Sequence, residues 1–254
     1  MTETLLAKQN ETADSWDVVR SDGWISLNEA GDYFTRLSGS SFSITSKQAH
    51  DWSARFRIGT RLKIVDSAGT KYFVVTVAAT YAAGVTTVTE FFGGSDYTLA
   101  AGAITEVYYS YSNPPDYPDW FNYGIGWMSS AGDPPAIGNG SLYASFKVQG
   151  RTCFLRFALT AGSLTTWGGG NWIFSLPMVA VNRNGVINLG TALCRDAGVA
   201  NYAVQPQINP SISTTTMTLF VELDWGTNQN NLNAMTPFAW GNTDTLNCNI
   251  QYEI

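Results

Sequence analysis

The only histidine of the 254-residue chain, His50, stands beside Asp51 in "KQAHDWSARF". Such a pair could be base and orienter of a nucleophilic triad, but adjacent residues rarely face each other correctly and no G-x-S-x-G elbow accompanies them. Two pairs of carboxylates, Asp116 with Asp119 in "DYPDW" and Glu222 with Asp224 in "ELDW", could flank a glycosidic bond as acid and base. The first pair sits among prolines, where turn formation accounts for it; the second lies on the polar face of a strand pattern. Cys153, Cys194 and Cys248 are odd in number and widely spaced, which fits neither a disulfide framework nor a zinc site. They read as small buried hydrophobes. The glycines at 168–170 lack the Lys-Ser/Thr of a phosphate loop. No catalytic residue, metal or cofactor is expected, and the chain reads as a non-enzyme.

Aromatic side chains remain as candidates. Trp, Tyr and Phe make up 13% of the residues, and exposed Trp and Tyr rings both stack on sugar faces and anchor protein interfaces. Trp24, Trp52 and Trp127 read first as core. In "GSLTTWGGGNWIFSLP", residues 162–177, Trp172 opens a strand and alternates with Phe174 and Leu176 toward a core, whereas Trp167 stands in a glycine loop. Trp167, Tyr202 and Trp225 are therefore the candidate ligand contacts. Tyr117, Trp120, Phe121, Tyr123 and Trp127 are candidate interface residues. They crowd a segment with five of the nine prolines and are too apolar for a solvated linker.

Composition narrows what these rings can meet. Charged residues are only 13% of the chain and the net charge is −6. A nucleic-acid binder needs a basic stripe. Here Arg55, Arg57, Arg61 and Lys63 are scattered, the last three spaced as one strand's outer face would be. No run approaches the ~18 apolar residues of a membrane helix, and the first residues do not read as a signal peptide. Nucleic acid and membrane insertion are not expected, and synthesis and folding in a cytoplasm are.

The elements that must position the aromatics read as all-β. Residues 1–29 form an arm in which "TETLLAKQ" could make a short helix, stable only if docked. Residues 30–112 carry short strands broken by turns every 8–12 positions. In "KYFVVTVA", Phe73, Val75 and Val77 on one face and Tyr72 and Val74 on the other point to a small closed β-barrel. Residues 113–136 are the aromatic, proline-rich connector, and 137–254 an antiparallel β-sandwich of jelly-roll type. There "TCFLRFALT", "TMTLFVELDW" and "TLNCNIQYEI" alternate apolar and polar residues, one face buried and one wet. With strands on either side, residues 160–171 are expected to close a hairpin.

The marks "IGTRLK", "TKYF", "TTVT", "GGSDYTLA", "YYS" and "PDWFNY" resemble a module of tailed-bacteriophage virion proteins. "AIGNGSL", "GSLTTWGGGNWIFSLP", "DAGVANY" and "PFAWGNTDTL" resemble a C-terminal module of phage tail-fibre-like and minor tail proteins. The resemblance implies a structural protein on the virion exterior, assembled in the bacterial cytoplasm and built as a homotrimer. Its arm would dock on other virion proteins of the capsid or of the tail and baseplate. Its outer domain would meet host-surface glycans. No long shaft accompanies these modules, so a capsid decoration or head-fibre role is the alternative, and a polysaccharide depolymerase the third reading.

Overall fold

The computed structural model describes residues 6–9, 16–19, 22–27, 32–46, 49–90, 97–222 and 229–254. Trp225, Asp224 and most of the expected arm lie outside them. The chain divides into two compact units, Met1–Asp119 and Trp120–Ile254. Both are all-β: among the described residues the one helical element is a 3-10 turn at Ser53–Arg55. Ser, Thr and Asn on the wet faces and Val, Ile and aromatics on the buried ones favour this outcome.

In the first unit the strands are β1 (Leu6–Gln9), β2 (Trp16–Val19), β3 (Ile25–Ser26), β4 (Tyr33–Ser38), β5 (Ser41–Thr45), β6 (Arg61–Asp66), β7 (Gly69–Ala82), β8 (Val85–Glu90) and β9 (Glu106–Ser110). They form one nine-stranded sheet in the order β1-β2-β3-β9-β6-β7-β8-β5-β4. Instead of the short helix, Leu6–Gln9 pairs with Trp16–Val19 as an antiparallel ribbon. The expected closed barrel is a curled half-barrel: β1 and β4 are the two ends of the strand order and do not meet in it. The bend lies in β7. Its first half pairs with β6; the second half pairs with β8, with bulges between Val75 and Val77 and between Val77 and Thr80. Bulges add twist and turn a strand. They also change which side chains point inward, so Phe73, Val74 and Val75 are buried while Val77, expected in the core, is 55% exposed. Phe42, Phe56, Leu62, Phe73, Val88 and Tyr109 share the core inside the curl.

In the second unit β10 (Phe121–Tyr123), β11 (Trp127–Ser129), β12 (Ser141–Gln149), β13 (Thr152–Thr160), β14 (Trp172–Ser175), β15 (Asn188–Leu189), β16 (Thr191–Asp196), β17 (Ala200–Ile208), β18 (Thr216–Glu222), β19 (Gln229–Asn231) and β20 (Thr245–Glu253) make a single eleven-stranded sheet. Its main path runs β10-β12-β13-β20-β16-β17-β18-β14-β11. Among the described residues its strands pair antiparallel, β13 with β20 over nine residues. The sheet folds on itself: Phe157 of β13 and Phe174 of β14 meet at 4.7 Å, and the Tyr252 hydroxyl of β20 donates to the Met178 carbonyl at 3.0 Å. The stretch 161–171 therefore does not close a hairpin. β13 pairs with β12 and β20, β14 with β11 and β18, and the glycine loop carries the chain from one half of the folded sheet to the other. Alternation along β13, β18 and β20 buries Cys153, Leu155, Phe157, Met217, Leu219, Leu246, Cys248 and Ile250. All three cysteines are buried thiols outside any disulfide; burial pushes Cys153 and Cys194 up to about 12 and Cys248 higher still. They are unreactive packing groups.

Candidate functional site

The carboxylates with catalytic spacing resolve first. Asp116 accepts hydrogen bonds from Trp24 Nε1 at 2.7 Å, Lys63 Nζ at 2.7 Å and the Tyr72 hydroxyl at 2.9 Å. Burial works to raise its pKa, but these three donors and the Lys63 charge outweigh that and hold it at about 2. A carboxyl so placed stays ionised and cannot act as a general acid. Its work is structural. The segment 113–117 lies over β6: Arg61 Nε donates to Asn113 Oδ1 at 3.1 Å, and the Arg61 guanidinium stands 5.5 Å above the Tyr117 ring. Arg61 is buried and Lys63 is engaged by Asp116, so this face is covered rather than solvated as its alternating charges suggested. His50 sits edge-on to Trp52 at 4.5 Å, while Asp51 accepts from the Ser53 amide at 2.8 Å. The Ser53 hydroxyl first and then its amide hold the Asp51 carboxyl low, so Asp51 caps a turn.

The five connector aromatics are divided between the units. Tyr117 is buried in the first, against Trp24 and Tyr72 at 6.1 Å each, and its hydroxyl donates to the Phe73 carbonyl at 3.0 Å. The others belong to the second unit. Phe121 stacks on Phe146 at 5.6 Å, and the hydroxyls of Tyr123 and Ser175 are 2.6 Å apart. Trp127 is buried edge-on to Trp172 at 4.9 Å. Trp120 is half-buried beneath two cations, Arg156 at 3.9 Å and Lys147 at 5.1 Å from its ring centre.

Trp167 and Tyr202, far apart in sequence, fall in one aromatic row. Trp167 stacks on Trp172 at 5.8 Å and reaches Trp240 at 5.8 Å. Trp240 meets Phe238 at 4.6 Å, and Phe238 meets Tyr202 at 5.2 Å. Trp172, Trp240 and Phe238 are buried, whereas the two ends, Trp167 and Tyr202, remain half-exposed. The indole N–H of Trp172 donates to the Trp167 carbonyl at 3.0 Å, which ties the loop to the row. The same loop is gripped by residues 130–136. The Gly169 amide donates to the Asp133 carbonyl, and Ala136 and Thr166 exchange a pair of backbone hydrogen bonds. Gly168 has φ +63°, and a Cβ there would lie 2.4 Å from the Asp133 carbonyl oxygen. Phe238 and Trp240 were not singled out as contacts; their i, i+2 spacing in "PFAW" was the available signal. The row can present ring edges and faces to a sugar or a protein.

The chain is similar in sequence to the Mu-like prophage FluMu defective tail fiber protein of Haemophilus influenzae, 32% identical over 135 residues, which is 50% of this chain and 19% of that protein. The similarity is to a phage tail fibre. The chain thus spans about a fifth of that relative's length. No family model and no solved structure matches the chain. The homology agrees with the tail-fibre-like resemblance of the sequence motifs and supports a structural phage component.

Proposed function

We propose that this chain is a non-enzymatic, fibre- or spike-like protein of a phage virion exterior that contributes to attachment at host-surface glycans. The observation that carries the reading is the 32% identity to a tail fiber protein over half of the chain. In this reading the chain is a homotrimer, its arm docks on other virion proteins, and its C-terminal unit is the projecting jelly-roll-like sandwich. The half-exposed ends of the aromatic row, Trp167 and Tyr202, offer faces for weak sugar contacts. Three copies per spike and many spikes per particle would multiply such contacts through effective concentration. The engagement of Asp116 by Lys63, Trp24 and Tyr72 speaks against one of the carboxylate pairs that a depolymerase would need.

The test is competition together with location. Purified protein, added in excess, is expected to slow adsorption of the parent phage, and gold-labelled antibody is expected on the tail. Label on the head with unchanged adsorption would replace the attachment role by capsid decoration. A monomer by solution mass at high concentration would remove the trimer.

A further inference from the structure

The outward face of β12, β13 and β20 holds a cleft apart from the aromatic row, with the connector's Trp120 beside it under Lys147. Lys147, Phe154 and Gln251 form one cross-strand row on that face, since Lys147 pairs with Phe154 and Phe154 with Gln251. Beside the row an open cleft of about 380 Å³ is lined by Thr152, Phe154, Asn188, Leu189 and the β20 residues Gln251 to Glu253, Tyr252 included. That volume falls within the ~300–1,000 Å³ of small-ligand sites. Phe154 stands at a position of the strand that alternation gives to solvent, and it is half-exposed. A half-wet phenyl face beside two amides and a hydroxyl combines a flat apolar platform with both donors and acceptors, the complement of a pyranose ring.

The charges around this cleft add a second requirement. Between residues 120 and 254 the cationic side chains are Lys147, Arg151, Arg156, Arg183 and Arg195. Lys147 lies over Phe154 at 5.3 Å, and Arg156 and Lys147 flank Trp120 next to it. Arg183 and Arg151 bracket Glu253 at 2.5 and 3.9 Å. One carboxylate thus stands among four cations, in a chain whose net charge is −6. The local excess favours a ligand bearing negative charge. A nucleic acid would need a long basic stripe, and this patch is confined to one cleft.

Resting on the attachment reading, we infer that the Phe154 cleft binds an anionic saccharide. Phe154 would stack on a sugar face, Asn188, Gln251 and Thr152 would meet its hydroxyls, and Lys147 with the neighbouring guanidinium groups would meet its acidic substituent.

The experiment is calorimetric titration of the full chain with three probes: a galacturonate hexamer, a phosphomannan fragment and neutral maltohexaose. At least one of the two anionic probes is expected to bind, which also tells carboxylate from phosphate. Affinity should fall as salt is raised from about 0.05 to about 0.5 M. Phe154→Ala should weaken binding about tenfold, the size of one lost stacking contact. Lys147→Gln, at a half-exposed site that leaves the core intact, should weaken it about threefold. Equal binding of maltohexaose, binding indifferent to both substitutions, or no binding at all overturns the site. Failure of the anionic probes with adsorption still blocked by the protein removes this cleft and leaves attachment standing. Binding without any effect on adsorption does the reverse.

Discussion

Glu90 illustrates how a single side chain records its surroundings. It closes β8, is 1% exposed, and its two carboxyl oxygens find no hydrogen-bond partner among the described residues. Burial pushes its pKa up to about 8, which the charge of Arg36 only partly offsets. Because the folded value lies above the unfolded one, the folded state binds the proton more tightly, and stability falls as pH rises from about 4.5 to about 8. Glu90→Gln removes the ionisation while keeping the shape. It should be nearly neutral at pH 4 and stabilise the first unit by about 1–3 kcal/mol at pH 9. Urea unfolding at the two pH values measures this; an equal effect at both would mean that Glu90 titrates normally. No local pattern announced this group, since "TTVTEFF" reads as an alternating strand whose inward end happens to carry an acid.

At the level of elements, the glycine loop between β13 and β14 gives the sharpest contrast. Gly168 is left-handed at φ +63°, and a Cβ added there would stand 2.4 Å from the Asp133 carbonyl oxygen, while one added at Gly169 would meet Ala131 Cβ at an ordinary 3.4 Å. Gly168→Ala should cost more than about 1 kcal/mol, whereas Gly169→Ala should be tolerated. Thermal unfolding followed by tryptophan fluorescence distinguishes them, and equal midpoints would dismiss the conformational argument. The same loop marks the limit of what strand patterns reveal. The alternation of "TCFLRFALT" and "WIFSLP" located β13 and β14 and placed Trp172 in the core, because each pattern depends only on one face being buried. Which strands pair is a different matter. β13 finds β20, distant in sequence, and nothing in either segment names the other. The Phe154 cleft was invisible for the same reason: Lys147, Phe154, Asn188 and Gln251 occupy ordinary wet-face positions until the sheet sets them side by side. The half-barrel likewise reads as closed from sequence, because an apolar run such as "KYFVVTVA" does not disclose the bulges that turn Val77 outward.

Across the whole molecule, the two sheets draw on separate stretches of chain: β1 to β9 form one and β10 to β20 the other. The connector is divided with them, its first part strapped to β6 by Asp116 and Asn113 and its second part gripping the glycine loop. A fragment of residues 120–254 should therefore fold alone, with cooperative unfolding and the buried-tryptophan emission of Trp127, Trp172 and Trp240. A disordered fragment would show that the first unit is required. One consequence follows for how the second unit comes into being. β20 is the partner of both β13 and β16, yet it is synthesised long after them. Until it emerges from the ribosome, both strands wait with an open edge and a bare apolar side, the state most prone to pair with a neighbouring chain. Where several copies are made on one message, that delay sets a window in which correct closure competes with entanglement, and slow translation would widen it.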